Sequence, residues 1–383
     1  MAISIKDYAK TILAKNAKVN EFVYDHADLT RHAKYINLLS ELSNLDYLDS
    51  VDPLKEYMKA VKNNKLPFYS TNANWSNAHI YGIYHSLFGQ QNSLISTPSV
   101  EHGLILHNAI FTDTRFTSRP ACVSMSSFRK KIIRSYSNRP VFSVGPYIDY
   151  AKYYYNNDRL RELKNSLGKT LLVFPSHSTD NCELSFDQKK FLDYLEKYIV
   201  GFDTILINSF YWNINDLLIS ALESEGFKIV SCGLRDDIHF LERLKSYIYL
   251  SDVVIGDSIG THVGYVLSMN KPYIYMDSDI KEEYSDPKER EDLPFVNYHL
   301  NKIRDCFIES PMITPEQKEV CGSYWGFDCH KTQDELNSIL EISADIFEYT
   351  QGKERTINQA VNYLLNKYIV EDTVKYDLLF DAL

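Results

Sequence analysis

Gly260-Thr261-His262 heads an apolar stripe of Ile259, Val263, Val266 and Leu267, at the i, i+4, i+7, i+8 spacing of a helix, just after the apolar run Val253-Val254-Ile255-Gly256. A hydroxyl and an imidazole in a helix first turn sit beside unpaired backbone N–H groups and the positive end of the dipole. That combination suits an anion such as phosphate. Ser258 adds a hydroxyl before the turn. Three further polar clusters follow apolar runs: Ser176-His177-Ser178-Thr179-Asp180, Ser209 with Tyr211-Trp212, and Gly233-Leu234-Arg235-Asp236-Asp237. Each alone could be an ordinary packing turn, so the argument for a site rests on their convergence. His177, Ser178 and Arg235 are of types that hold phosphate. His177, Ser178 and Asp180 have the composition of a hydrolase triad, but triad members are brought together by the fold and are rarely this adjacent in sequence. Neither GxGxxG nor GxxxxGK[ST] occurs.

The elements that must position these clusters alternate in type. Strands are predicted at Thr170–Pro175, Thr204–Asn208, Lys228–Cys232, around 253–256 and from Tyr273 on, after the stop at Asn270-Lys271-Pro272. Helices are predicted over 185–200, 214–225 and 238–250, with the short Thr261 helix completing the series. Such alternation predicts a parallel, doubly wound sheet whose ligands lie beyond the strand carboxyl ends. The loops after 174, 208, 232 and 256 would then line one site.

Upstream, residues 1 to about 65 read as helical, with apolar positions at Ile12, Leu13, Val19 and Phe22, then Tyr35, Leu38, Leu39 and Leu42. Mixed α/β structure is predicted over 66–150, with short strand-like runs at Ser93-Leu94-Ile95-Ser96 and Leu104-Ile105-Leu106. Arg129-Lys130-Lys131 with Arg134 reads as a solvated helix face, or as a site for an anionic acceptor or membrane surface. A helix over 149–167 leads into the second domain. Ser278–Asp292 reads as an acidic surface loop. Over 355–383 a helix is expected to pack back, on a stripe of Ile357, Ala360, Val361, Leu364 and Leu365. The expected domains are 1–165, 166–350 and a terminal helical segment, 351–383.

With 383 residues, 44% of them hydrophobic, the chain can form two cores. A net charge of −10 argues against a nucleic-acid surface and leaves only a local anion site. No run of about 18 apolar residues occurs, and Lys6, Asp7, Lys10 and Lys15 interrupt any signal-peptide core, so a cytoplasmic protein is expected. Its six cysteines lack CxxC spacing and are expected reduced. Cys321, Cys329 and His330 lack a fourth ligand at zinc spacing, and no metal or cofactor is expected. The 29 tyrosines read as half-buried packing residues with wet hydroxyls, or as sugar-stacking platforms.

Several of these runs resemble a known family. Gly233-Leu234-Arg235-Asp236-Asp237 with Phe240-Leu241 and Arg243, Ser251-Asp252, Gly260-Thr261-His262-Val263-Gly264-Tyr265 and Lys271-Pro272 resemble the carboxyl-terminal domains of bacterial glycosyltransferases that build capsule and lipopolysaccharide. Glu101-His102-Gly103, Gly145-Pro146-Tyr147-Ile148 with Tyr150-Ala151, and Leu172-Val173-Phe174-Pro175 with His177-Ser178 extend the likeness over about 100–275. The pattern is closest to transferases of CMP-activated ulosonic acids such as Kdo and the sialic-type sugars. It departs at Asp257, where an uncharged amide side chain would be expected.

The resemblance implies a GT-B-like α/β fold of two Rossmann-like domains facing across a cleft, acceptor-side first and nucleotide-sugar-binding second. It implies an enzyme that moves a sugar from a nucleotide donor to an oligosaccharide or glycolipid acceptor, with peripheral membrane association open. Thr261, His262, Ser258, Gly260, Arg235, His177 and Ser178 would hold the nucleotide. The oxocarbenium-like transition state of glycosyl transfer asks for a carboxylate near the anomeric carbon, for which Asp237 is the candidate. Its alternative is a cap on the helix starting near Ile238. Glu101 or His102 would deprotonate the acceptor hydroxyl, or would form a satisfied loop pair beside Gly103. A nucleotide-sugar epimerase or hydrolase on the same fold, and a non-catalytic member of a polysaccharide assembly complex, are the competing readings.

Overall fold

A computed structural model describes residues 38–63, 80–89, 95–110, 119–178, 182–185, 187–284, 291–307, 312–351 and 355–383. Expectations for the helical stretch before Leu38, for Ser93-Leu94 and for Thr179-Asp180 lie outside these residues.

In chain order the labelled elements begin with helices α1 (Asp52–Lys62) and α2 (Ile83–Phe88), then strands β1 (Ser99–Val100) and β2 (Cys122–Ser124). Next come α3 (Ser127–Tyr136), β3 (Val141–Ser143), α4 (Asn157–Leu167), β4 (Thr170–Phe174), β5 (Cys182–Ser185), α5 (Gln188–Ile199) and β6 (Thr204–Asn208). The alternation continues with α6 (Leu217–Ser224), β7 (Lys228–Val230), α7 (Phe240–Leu250), β8 (Val253–Gly256), α8 (Thr261–Ser268), β9 (Tyr273–Tyr275) and β10 (Lys281–Tyr284). Helices α9 (Leu293–Arg304), α10 (Pro315–Trp325), α11 (Gln333–Thr350), α12 (Ile357–Glu371) and α13 (Thr373–Asp381) complete the chain.

The chain is α/β and divides into two compact units. One comprises described residues within 69–147 and 323–383, the other those within 35–68 and 148–322. The divisions therefore fall near 147 and 322 rather than at 165 and 350, and α11 to α13 belong to the first unit.

In the first unit, β1, β2 and β3 form a parallel sheet in sequence order. Helix α3 connects β2 to β3 and starts at Ser126, whose hydroxyl accepts from the Arg129 N–H. Thr332 and Thr356 form capping boxes with Glu335 and Gln359 at the starts of α11 and α12. The expected terminal helix is two helices. Asp372 leaves helical geometry at φ −156°, ψ 92° and caps α13 by accepting from the Lys375 N–H. A second departure is Leu104–Leu106, which joins no strand. Nearby backbone carbonyls go instead to side chains: His107 and Ala109 accept from Arg129, and Glu101 from the Tyr147 hydroxyl.

The second unit is built on a five-stranded parallel sheet ordered β7-β6-β4-β8-β9. This is a Rossmann-like, doubly wound order, with the direction of winding reversing between β4 and β8. The central strands bury completely, as continuous apolar runs such as Leu171-Leu172-Val173 should when helices cover both faces. The 149–167 expectation shortens to α4 because Asn156 caps it, and because the preceding tyrosines bond elsewhere: the Tyr154 N–H to Ser246 Oγ, the Tyr155 hydroxyl to Asp46. Within the acidic stretch after Ser278, β10 pairs antiparallel with β5, so that part is strand rather than loop.

Among the described residues no helix is long and apolar enough to cross a membrane. Cys122, Cys232, Cys306, Cys321 and Cys329 are free thiols.

Candidate functional site

The winding reversal brings the end of β4 beside the end of β8, and Asp257 locks the two together. Its buried carboxylate accepts 2.7 Å hydrogen bonds from the Ser176 N–H, the Ser176 hydroxyl and the Ser278 hydroxyl. Burial raises its pKa, and the three donors act against that rise by stabilising the charged form. This carboxylate is thus a structural knot, bonded to loop groups.

Beside this knot, Gly256 ends β8 where a Cβ would lie 2.5 Å from the Tyr273 hydroxyl and 3.1 Å from the Phe174 carbonyl. The missing side chain lets Tyr273 cross to the Ser258 carbonyl, to which it donates at 2.9 Å. Having spent its one proton there, the Tyr273 hydroxyl can only accept from His262 Nε2 at 3.2 Å. The His262 proton therefore sits on Nε2 and Nδ1 is an acceptor. Phe174 stacks on the ring at 4.4 Å, and burial, with a smaller effect of His177, pushes its pKa down to about 3. With Nε2 engaged by Tyr273, Nδ1 is the ring nitrogen that this hydroxyl leaves open.

At the start of α8, Gly260 is the N-cap and has no capping side chain, its carbonyl accepts from the Val263 N–H at 3.1 Å, and the half-buried Thr261 is the first helical residue. The helix start and its dipole form the anion-attracting part of this edge.

On the other side of β4 lies a cavity of about 530 Å³ at the carboxyl ends of β4 and β6. Ser176, His177 and Ser178 line it from the β4 loop, Ser209 and Phe210 from the β6 loop, and Asn213 and Asp216 from the approach to α6. His177 stacks on Phe210 at 4.1 Å, and burial pushes its pKa down to about 4. Ser178 accepts from the Leu184 N–H at 3.0 Å, tying the loop to β5. Two of the four expected loops thus meet at this cavity, and residues 233–237 and 257–262 do not line it.

Asp237 is committed elsewhere. Its side chain is buried against Arg243 at 2.8 Å, and its other oxygen accepts from the His239 N–H. Gly233 has φ +94°, and a Cβ there would lie 2.5 Å from the Asp237 carboxylate. Arg235 is half-buried, its Nε 3.8 Å from Asp236.

Glu101 and His102 lie in the first unit. Glu101 is buried in a two-pronged pair with Arg129, at 2.5 and 2.8 Å, and His102 is half-buried near Tyr81. The carboxylates expected to do chemistry are thus both members of buried ion pairs.

No family model matches this chain, and no curated protein matches it.

Sequence reasoning passed over Asn213, Asp216 and Gln188, which also lines the cavity. Asp216 precedes α6 as its N-cap residue, and that local signal was legible; its partner Asn213 carries none.

The two neutral histidines have a measurable consequence. Their folded pKa values, about 4 and about 3, lie below the unfolded value of roughly 6.5. Between those limits the unfolded chain binds more protons, so stability is expected to fall as pH drops below about 6.5, by up to about 1.4 kcal/mol per pH unit for each histidine. Urea midpoints between neutral and mildly acidic pH should show this loss. His177→Phe and His262→Gln should each flatten it, and an unchanged slope in both variants would contradict the neutral assignment.

Proposed function

We propose that this chain is a GT-B-type glycosyltransferase. It moves a sugar from a nucleotide donor, foremost a CMP-ulosonate such as CMP-Kdo, to a cell-surface polysaccharide or lipopolysaccharide acceptor. The observation that carries the reading is the parallel sheet ordered β7-β6-β4-β8-β9, with the Gly260-led start of α8 at its carboxyl edge. Ligands of doubly wound sheets bind at that edge, and phosphates favour helix starts. The ulosonate preference rests on the sequence resemblance alone.

In this reading the donor phosphate meets the first-turn N–H groups of α8 and the Thr261 hydroxyl. Those dipoles favour the negative charge that grows on the departing nucleotide, which lowers the barrier to breaking the glycosidic bond. His262 acts through Phe174 and Tyr273, holding the edge in shape. Asp237 and Glu101, engaged with arginines, serve the scaffold.

A thermal-shift panel of CMP, UDP, GDP and CDP tests the reading. A nucleotide at about 100 times its dissociation constant should add about 2.7 kcal/mol of stability. Stabilisation by CMP supports the ulosonate donor, and stabilisation by another nucleotide redirects the donor class. No shift with any of the four refutes nucleotide-sugar transfer. The burial of both candidate carboxylates favours one second reading, a nucleotide-binding member of a polysaccharide assembly complex without turnover. Binding without donor consumption, with and without an oligosaccharide acceptor, would select it.

A further inference from the structure

Two cysteines of the second unit are paired in a way that the α8 edge does not use. Cys306 lies just beyond the end of α9 and Cys321 within α10, and both are buried as free thiols. Their side chains hydrogen-bond to one another. Cys321 is the donor, and accepting its proton holds the Cys306 thiol below the ordinary cysteine value, while the same bond, with burial, pushes Cys321 up. Cys306 Sγ in turn donates to the Ile303 carbonyl at 2.9 Å, which fixes this sulfur at the last turn of α9. Other cysteines bond to oxygen groups instead: Cys122 with Ser99, Cys232 with Asn208, and Cys329 with Asp328.

The two thiols are unequal, and the inequality assigns their roles. A thiolate attacks an oxidant faster than a thiol does, and Cys306 is the member of the pair that gives up its proton more readily. It also keeps 3% of its surface exposed where Cys321 keeps 0%, so a water-sized oxidant meets Cys306 first. Cys321 needs no access to solvent, because its target is the neighbouring sulfur. An attacking cysteine beside a resolving one is the arrangement of redox-responsive pairs.

We propose that Cys306 and Cys321 form a reversible disulfide, driven by a hydroperoxide and undone by a small thiol, that clamps the end of α9 to α10. Cys306 sulfur attacks one peroxide oxygen, the O–O bond breaks, and the released hydroxide takes up a proton to leave as water. The Cys321 sulfur then attacks the resulting sulfenic acid, the S–S bond forms, and the S–O bond breaks to release a second water. The two thiols lose two electrons and two protons, and the peroxide gains them. Phe307, beside Cys306, meets Tyr273 edge-on at 5.4 Å, so the clamp steadies the residue that bonds Ser258 and His262. The disulfide itself does not depend on the transferase reading.

Hydrogen peroxide added to the folded full chain, followed by alkylation of the remaining thiols and peptide mapping by mass spectrometry, tests the pair without any nucleotide. A bridge from Cys306 to Cys321 should form faster in the folded protein than in urea, because folding holds the sulfurs together, and dithiothreitol should restore both thiols. The bridged protein should unfold about 5 °C higher, since a loop of about 15 residues is closed in its unfolded chain. Cys321→Ser should leave Cys306 as a sulfenic acid that dimedone traps, and Cys306→Ser should leave Cys321 unmodified. A bridge that forms only in urea, a bridge to another cysteine in its place, or both thiols still open to alkylation after peroxide would each overturn the proposal. Dimedone trapped on Cys321 in the Cys306→Ser variant would overturn the assigned roles.

Discussion

Asp237→Ala is expected to destabilise the second unit by about 3–5 kcal/mol, the cost of leaving a buried charge uncompensated. Both partners are sealed from solvent, with side-chain exposures of 1% for Asp237 and 0% for Arg243. Burial acts to lower the guanidinium pKa, and Asp237, the next largest influence, helps reverse this so that the value is raised. Arg243 also donates to the Ser43 and Leu45 carbonyls, and it lies over the Tyr47 and Tyr154 rings at 4.9 and 4.4 Å. The pair therefore anchors the segment ahead of α1 onto α7. Urea denaturation should show the loss directly. Asp237→Leu combined with Arg243→Met should cost less than the sum of the single changes, because no orphaned charge remains. If Asp237→Ala left stability intact and abolished turnover, Asp237 would regain its place as the carboxylate at the anomeric carbon.

Glu101→Ala should have an effect of similar size in the first unit, again about 3–5 kcal/mol. Arg129 bridges this carboxylate and the carbonyls of His107 and Ala109, at 2.7 Å each, so the loop after β1 depends on one guanidinium held in place by one carboxylate. Thermal unfolding measures the loss, and faster amide exchange across 101–110 identifies where it originates. Glu101→Gln is the discriminating variant. A scaffold role leads to a smaller stability loss with a loosened loop. A general base gives normal stability and exchange with transfer to acceptor lost, and that result would contradict the structural assignment.

The secondary structure of the second unit was legible because its information is local. Val253-Val254-Ile255 and Leu171-Leu172-Val173 are apolar without interruption, as strands covered on both faces must be. The Ile259, Val263, Val266, Leu267 spacing marks α8 equally well. Where side chains rather than a ladder took the backbone groups, as around Leu104–Leu106 and Tyr154-Tyr155, the same local reading erred. The Tyr154 N–H goes to Ser246, and on either side of 104–106 the carbonyls of Glu101, His107 and Ala109 go to Tyr147 and Arg129.

By itself, the sequence determined an α/β chain with parallel strands, the polar loops that follow β4, β6, β7 and β8, and a helix beginning at Thr261. Periodicity and capping act over a few residues, so they can be read along the chain. The tertiary structure alone decided the charge state and the availability of each chemical group. Burial, with a smaller effect of His177, pushes the His262 pKa down, and its Nε2 meets a Tyr273 hydroxyl whose proton goes to the Ser258 carbonyl. Asp237 and Glu101 are engaged because Arg243 and Arg129 reach them inside the fold, and Asn213 lines one cavity with Ser176 and His177 because β6 pairs with β4. Desolvation and hydrogen-bond partnership depend on what surrounds an atom in three dimensions, and residue type and spacing do not encode those surroundings.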